Sequence, residues 1–295
     1  MRALRCHGLA LQRPLVVDLR RLRDVSETAD GEPTTADATL GEELVRLASA
    51  DNFRDVAGID EAYVAADGVP LRRGLLFRSN ELQLSDADAH SVASLGVTAV
   101  YDLRHDHEVE AHPDVPVPGA EWHHLEVKGI PMDAVSNLET RQAGTEVMHE
   151  VYRSFVDKPG ARAAFSELLT RIAAHDGAHL FHCTAGKDRT GWAAALLLHV
   201  AGVDDETILA DYLLTNDFSS GTREKYLGLV EEHLGADKVE VYERVMVADA
   251  DYLQTAYDTA AAAYGDVDGY LRDGLGLDDA TVDRLRARLR SAPSA

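Results

Sequence analysis

From residue 40 onward, short apolar runs alternate with longer stretches of helical period. Residues 40–50 carry Leu40, Leu44, Val45 and Leu47 at helical spacing. Residues 53–59 and 63–71 read as extended, with Asp67-Gly68 as a hairpin turn, and 74–78 as a short strand. Ser85-x-x-Asp88 reads as a capping box that opens a helix to Leu95, stopped by Gly96. The runs 97–103, 122–127 and 179–183 read as strands. Residues 146–156 and 159–174 read as helices, the second with Pro159 in its first turn. Residues 190–200 have helical length but are apolar nearly all round, which predicts a buried central helix. Beyond Gly202 only helical periods follow, over 204–216, 221–233, 239–247, 250–264, 267–273 and 278–290. Strands separated by helices predict a central, mostly parallel sheet with helices on both faces.

Composition changes this picture at the N-terminus. Residues 24–39 are rich in Asp, Glu, Thr and Ala, with Gly31 and Pro33, so 1–37 reads as a disordered or poorly packed extension. Residues 38–295 then form one domain. Acids outnumber bases by 51 to 29, for a net charge of −22, which argues against nucleic acid as a partner. The longest apolar stretch, 192–202, is about half a membrane span, so stable membrane insertion is not expected. The two cysteines, Cys6 and Cys183, make no disulfide framework. No apolar run follows the arginines of the first 13 residues. The default expectation is a cytoplasmic protein, with export lacking a conventional signal left open.

The chemistry concentrates in His179-Leu180-Phe181-His182-Cys183-Thr184-Ala185-Gly186-Lys187-Asp188-Arg189-Thr190-Gly191. A strand here runs into a short loop that begins with a cysteine and ends with an arginine, and the apolar helix follows. Backbone N–H groups from Thr184 to Arg189 can converge as an anion nest, reinforced by the positive end of the helix. Ala185 and Gly186 are small enough for a tight curl. Arg189 offers a planar fork for two phosphate oxygens. The same field favours Cys183 as thiolate, and the Thr190 hydroxyl stands where it can donate to that sulfur. Lys187 adds positive charge beside the pocket.

The order His182-Cys183, five residues, Arg189-Thr190 resembles the signature of the cysteine-dependent phosphatases. The longer form, with Ala185-Gly186-Lys187-Asp188 inside it and Gly191 after it, resembles a bacterial protein tyrosine phosphatase family. Asn52-Phe53-Arg54-Asp55, Leu76 to Leu82, Asp102-Leu103-Arg104, Ala210 to Leu213 with Asn216-Asp217, and Gly269 to Asp273 extend the resemblance over residue 40 to the end. It implies a cysteine-phosphatase fold with a helical lid within 204–248. The activity implied is metal-independent and cofactor-free hydrolysis of phosphotyrosine, with phosphoserine and phosphothreonine as further substrates. A phosphoinositide-preferring phosphatase with the same residues is the alternative. The partner is accordingly a phosphorylated protein or a phospholipid headgroup.

Site residues follow from the resemblance. Cys183 is the nucleophile, Arg189 grips phosphate, and Asp188 is the proton donor, because the chain lacks a Trp-Pro-Asp loop. Asp114 and Asp157 are upstream rivals, although Asp157 before Lys158-Pro159 also reads as a helix cap. Thr184, Ala185, Gly186 and Lys187 line the substrate site, with Lys187 contacting a second phosphate or headgroup. His182 and Thr190 tune the thiolate. Arg104, at the carboxyl edge of its strand, is either a second anion contact or an ion-pair partner of Glu108. Arg54 and Asp55 brace the pocket. His105, Asp106, His107, Glu108 and His112 read as a solvated charged loop rather than a metal site. Physiological substrate and oligomeric state stay open.

Overall fold

A computed structural model describes residues 47–136 and 138–291. The expected extension at 1–37, Cys6 and most of the helix expected at 40–50 lie outside the described residues, and 47–50 are not helical. Five strands form one sheet: β1 (Arg54–Asp55), β2 (Leu76–Ser79), β3 (Val97–Asp102), β4 (Glu121–His124) and β5 (Ala178–His182). Their spatial order is β1-β2-β5-β3-β4, with β1 antiparallel to β2 and every other pair parallel. The extended segment expected at 53–59 shrinks to the two residues of β1. The Asp67-Gly68 turn closes around a single bridge between Val64 and Pro70.

β5 sits at the centre and is buried along its whole length. Its side chains alternate as the pleat requires, with Ala178 and Leu180 on one face and Phe181 on the other. The first face is covered by α1 (Asp86–Ser94) through Ala89 and Val92. Ser85 caps α1 by accepting from the Asp88 N–H at 3.2 Å. The other face carries a larger helical layer: α4 (Arg141–Asp157), α5 (Pro159–Ala174), α6 (Asp188–Ala201), α11 (Ala250–Tyr264) and α13 (Asp279–Leu289). Every residue of α6 except His199 is buried, as its all-round apolar sequence requires. Gly202 ends α6 in the left-handed region, φ 85°.

Two short helices were not legible in the pattern: α2 (Asp106–Ala111) and α3 (Met132–Ser136). The charged stretch at 105–112 is therefore partly helical, not a loop. His105 caps α2 through Nδ1, and Glu108 returns a bond to the His105 N–H at 2.9 Å. The helix expected at 204–216 divides into α7 (Asp205–Leu213) and α8 (Thr215–Phe218). The one expected at 267–273 divides into α12 (Val267–Gly269) and a π-helical turn, Tyr270–Gly274. The segment 204–248, expected to hold a lid, is built of α7, α8, α9 (Ser220–Leu234) and α10 (Ala236–Met246). α10 buries Val241, Tyr242 and Val245, whereas α9 has no buried side chain. No helix among the described residues is long and apolar enough to cross a membrane.

This division predicts a contrast. Leu196→Ala empties a fully buried position of α6 and is expected to cost about 2–5 kcal/mol of unfolding free energy. Leu229→Ala in α9, 41% exposed, is expected to stay within about 0.5 kcal/mol. Urea titration of the two variants checks both values.

Candidate active site

The loop that leaves β5 at Cys183 and enters α6 at Asp188 is shaped by what its carbonyls touch. The Thr184 carbonyl accepts from the Glu81 N–H at 3.0 Å. The Asn52 side-chain amide donates to the Ala185 and Gly186 carbonyls at 3.2 and 3.0 Å. Arg78 Nη2 donates to the same Gly186 carbonyl at 2.9 Å, and the Lys187 carbonyl takes the Gly191 N–H at 2.8 Å. A peptide unit is planar and trans, so its N–H points opposite to its C=O. Carbonyls held outward from Thr184 to Lys187 therefore aim the N–H groups of Ala185, Gly186, Lys187 and Asp188 to the concave side. Gly186 makes this possible with φ 65°, and a Cβ there would lie 2.5 Å from the Ser79 carbonyl oxygen. Cys183 is buried at the foot of the loop.

Behind the loop lies a dry cluster of charge. Asp211 of α7 pairs with Arg78 at 2.8 Å and with Arg54 at 3.4 Å, and all three side chains are at most 2% exposed. Arg54 also donates to the Asn52 side-chain oxygen and, at 3.0 Å, to the Asp211 carbonyl. Burial and the neighbouring Arg78 lower the proton affinity of Arg54 below that of a free guanidinium, with Asp211 opposing. Arg54 thus stands behind the loop and reaches it through Asn52. Asp55 works elsewhere, accepting from the Ala57 and Gly74 N–H groups at 2.8 and 2.5 Å, which ties the far end of β2.

Arg189, in the first turn of α6, is gripped end-on by Glu108, Nη1 to Oε2 at 2.6 Å and Nη2 to Oε1 at 2.9 Å. The Thr184 hydroxyl bonds Glu108 as well and lies 3.4 Å from Arg189 Nη2, so it faces this pair. Gly129 lies against the guanidinium, and a Cβ there would come within 3.0 Å of Cζ. Burial opposes the Arg189 charge, and the Cys183 sulfur and Glu108 outweigh it, so its proton is held more firmly than usual. Burial likewise opposes the Glu108 charge, but the Arg189 fork brings that carboxyl down to about 2. Glu108 was expected on Arg104 or in solvent. It reaches Arg189 because α2 forms, and its position three residues after the His105 cap was the available signal.

Arg104 does neither of the things expected of it. Its side chain is fully buried, and it bonds Asp102 at 2.7 Å, Asp114 at 2.8 Å, Glu81 at 3.2 Å and the His112 carbonyl at 2.8 Å. Its donors are consumed by protein acceptors, so no fork is left for an anion. Asp114 also pairs with His182 Nε2 at 2.9 Å. Burial disfavours the His182 charge, and Asp114 overcomes it, raising the affinity of the imidazole for its proton. Burial works to keep Asp114 protonated, and His182 and Arg104 reverse that, holding it well below the usual carboxylate range. A carboxylate so firmly ionised is no proton donor. Asp102, Asp114 and His182 bring ligand-type atoms within 4.8 Å of one another, but Arg104 lies on both carboxylates and already supplies the balancing cation.

Asp188 begins α6. Its Oδ1 accepts from the Tyr152 hydroxyl at 3.0 Å and pairs with Lys187 Nζ at 2.6 Å, which leaves Oδ2 outside these contacts. Tyr152 in turn meets the Tyr212 hydroxyl at 2.6 Å. Burial, then the Asp188 charge, push both phenols well above their ordinary range, so they act as neutral donors. Lys187 is 3% exposed and spent on Asp188, not turned outward to a second phosphate. The Thr190 hydroxyl is buried without a hydrogen-bond partner among the described residues, so it does not donate to the Cys183 sulfur in this structure. Asp157 is exposed at the end of α4. It caps nothing, because Lys158 is the cap residue of α5 and makes no side-chain cap bond.

The Glu108–Arg189 pair yields a pH test. The folded carboxyl sits at about 2, below its unfolded value near ~4.3, so its contribution is present above that value and lost as pH falls through the window. Glu108→Gln is expected to lower the melting temperature at pH 7, with the gap from wild type closing between about pH 4.3 and 2. Thermal melts across that range check it.

Similarity to known proteins agrees with this geometry. The model of the tyrosine phosphatase family matches residues 45–291. The chain is 33% identical over 279 residues to the triple specificity protein phosphatase PtpB of Mycobacterium tuberculosis, spanning 82% of this chain and 98% of the relative. It is 29% identical to a tyrosine-protein phosphatase of Nostoc commune, spanning 88% of this chain and 93% of that protein. With a match across nearly all the described residues, and with the cysteine-to-arginine loop seated between β5 and α6, the chain belongs to the tyrosine phosphatase family, as a PtpB-like bacterial protein-tyrosine phosphatase.

Proposed function

We propose that the protein hydrolyses phosphotyrosine through a cysteinyl-phosphate intermediate, with phosphoserine and phosphothreonine as further substrates. The observation that carries this reading is the loop with its carbonyls held outward, Cys183 at its foot and Arg189 beside it. The triple specificity named for the mycobacterial relative supports the breadth of substrate. The Cys183 thiolate attacks phosphorus in line; the S–P bond forms as the bond to the leaving oxygen breaks. Loop N–H groups and Arg189 take the charge on the equatorial oxygens. Asp188 gives its proton to the leaving oxygen. It then takes one from the water that cleaves the S–P bond, releasing phosphate and restoring the thiolate.

Tyr152 and Lys187 both hold Asp188 through Oδ1, which fixes the carboxyl at the start of α6 beside the loop. A phosphoinositide preference is less favoured, because Lys187, the residue that would take a second phosphate, is buried on Asp188. The net charge of −22 also repels an anionic membrane surface.

Cys183→Ser is expected to lower turnover of p-nitrophenyl phosphate by ~10³-fold or more while phosphate affinity stays within about threefold. A variant keeping a tenth of wild-type activity contradicts the covalent route. A panel of phosphotyrosine and phosphoserine peptides and phosphoinositide vesicles ranks the substrates, and fastest turnover of the vesicles contradicts the assignment.

Asp188→Asn is expected to lose roughly 10²–10⁴ in rate on phenyl phosphates with basic leaving groups, and far less on nitrophenyl phosphate. Steady-state kinetics over a series of graded leaving-group pKa checks this. A uniform loss across the series removes Asp188 from the proton-donor role.

A further inference from the structure

The buried cluster behind the loop sets two cations on one anion. Two guanidiniums, Arg54 and Arg78, share one carboxylate, Asp211, all three out of contact with water. Burying a second cation on one anion is costly. Both arms that leave Asp211 end on the same atom. The first runs from Asp211 to Arg78 and from its Nη2 to the Gly186 carbonyl at 2.9 Å. The second runs from Asp211 to Arg54, to the Asn52 side-chain oxygen, and from Asn52 Nδ2 to the Gly186 carbonyl at 3.0 Å. Arg54 also fixes which way the Asn52 amide is turned, because its donor must meet the oxygen and not the nitrogen. The convergence falls on the peptide unit that has most freedom to turn. Gly186 has φ 65°, and glycine visits either sign of φ with little cost. If the Gly186–Lys187 peptide turned over, a carbonyl oxygen would replace an N–H on the concave side and repel an anion.

We propose that Arg78, held by Asp211 and seconded by Asn52, is a positioning residue. It locks the Gly186–Lys187 peptide with its N–H inward and thereby sets the affinity of the loop for a phosphoryl group. Asp211 lies on α7, beyond the loop and its helix, so it is the hub through which α7 supports the loop. The cluster also keeps one net positive charge beneath the anion site, which two substitutions of unchanged net charge separate from the orientation effect. This inference rests on reading the loop as the phosphate site.

The test uses the full chain and the variants Arg78→Lys and Asn52→Ala, neither of which alters net charge. Arg78→Lys replaces a fork that reaches Asp211 and Gly186 together with a single ammonium. Asn52→Ala removes one arm and keeps the other. The readouts are the inhibition constant of inorganic phosphate, kcat and KM on p-nitrophenyl phosphate, the pH dependence of iodoacetamide alkylation of Cys183, and the melting temperature. Arg78→Lys is expected to weaken phosphate about tenfold or more and to move the alkylation midpoint to higher pH, because inward N–H dipoles also stabilise the thiolate. Asn52→Ala is expected to do the same to a smaller extent. Lower melting temperatures with unchanged phosphate inhibition and an unchanged alkylation profile, measured below the melt, would overturn the proposal and leave the cluster a purely structural one. If Arg78→Lys does not fold, Asn52→Ala decides by the same criteria. Failure of the parent reading looks different: wild type itself would then show neither phosphate inhibition nor protection of Cys183 from alkylation by phosphate.

Discussion

The outward pinning of four successive carbonyls, from Thr184 to Lys187, is the constraint on which the site depends. Left to itself, a loop of this length has no reason to point all its N–H groups one way. The protein supplies a partner for every carbonyl: the Glu81 N–H just after β2, the Asn52 amide, the Arg78 guanidinium and the first turn of α6. These partners come from the residues just before β1, from β2 and the turn just after it, and from α6, so the sheet order that sets β2 beside β5 is also what positions them. An anion nest built this way is fixed before any ligand arrives, which is what a site for developing charge requires.

The second organising feature is how the charges are neutralised around that loop. Arg104, Arg78 and Arg54 are fully buried, and each meets a carboxylate: Asp102 and Asp114 for the first, Asp211 for the other two. Arg189 meets Glu108, and Lys187 meets Asp188. A chain with an excess of acids can support many buried cations, and here they stand around the loop.

Legibility followed periodicity. α5 and α6 were readable because Pro159, Gly202 and unbroken apolar spacing mark them, and the parallel sheet followed from their alternation with strands. The loop from Cys183 to Arg189 was readable because its chemistry is local in sequence. What could not be read was pairing across long separations. Arg78 meets Asp211 across 133 positions and Arg189 meets Glu108 across 81, and no spacing rule links such residues. Arg104 showed the limit clearly. Its place at the carboxyl edge of a strand suited an anion contact, but three carboxylates folded onto it, and only the tertiary structure shows that. α2 was missed because six residues carry too little apolar signal and its cap is histidine, not the usual Ser, Thr, Asp or Asn.

The central claim is that the inward N–H groups of the loop form the phosphate site. Amide chemical shifts of the isotope-labelled full chain, followed while inorganic phosphate is added, test this most directly. The account predicts that the amide protons of Ala185, Gly186, Lys187 and Asp188 move downfield together and saturate at one common dissociation constant, the one measured for phosphate inhibition. Shifts spread over other surfaces, with these four amides unmoved at saturating phosphate, would contradict it.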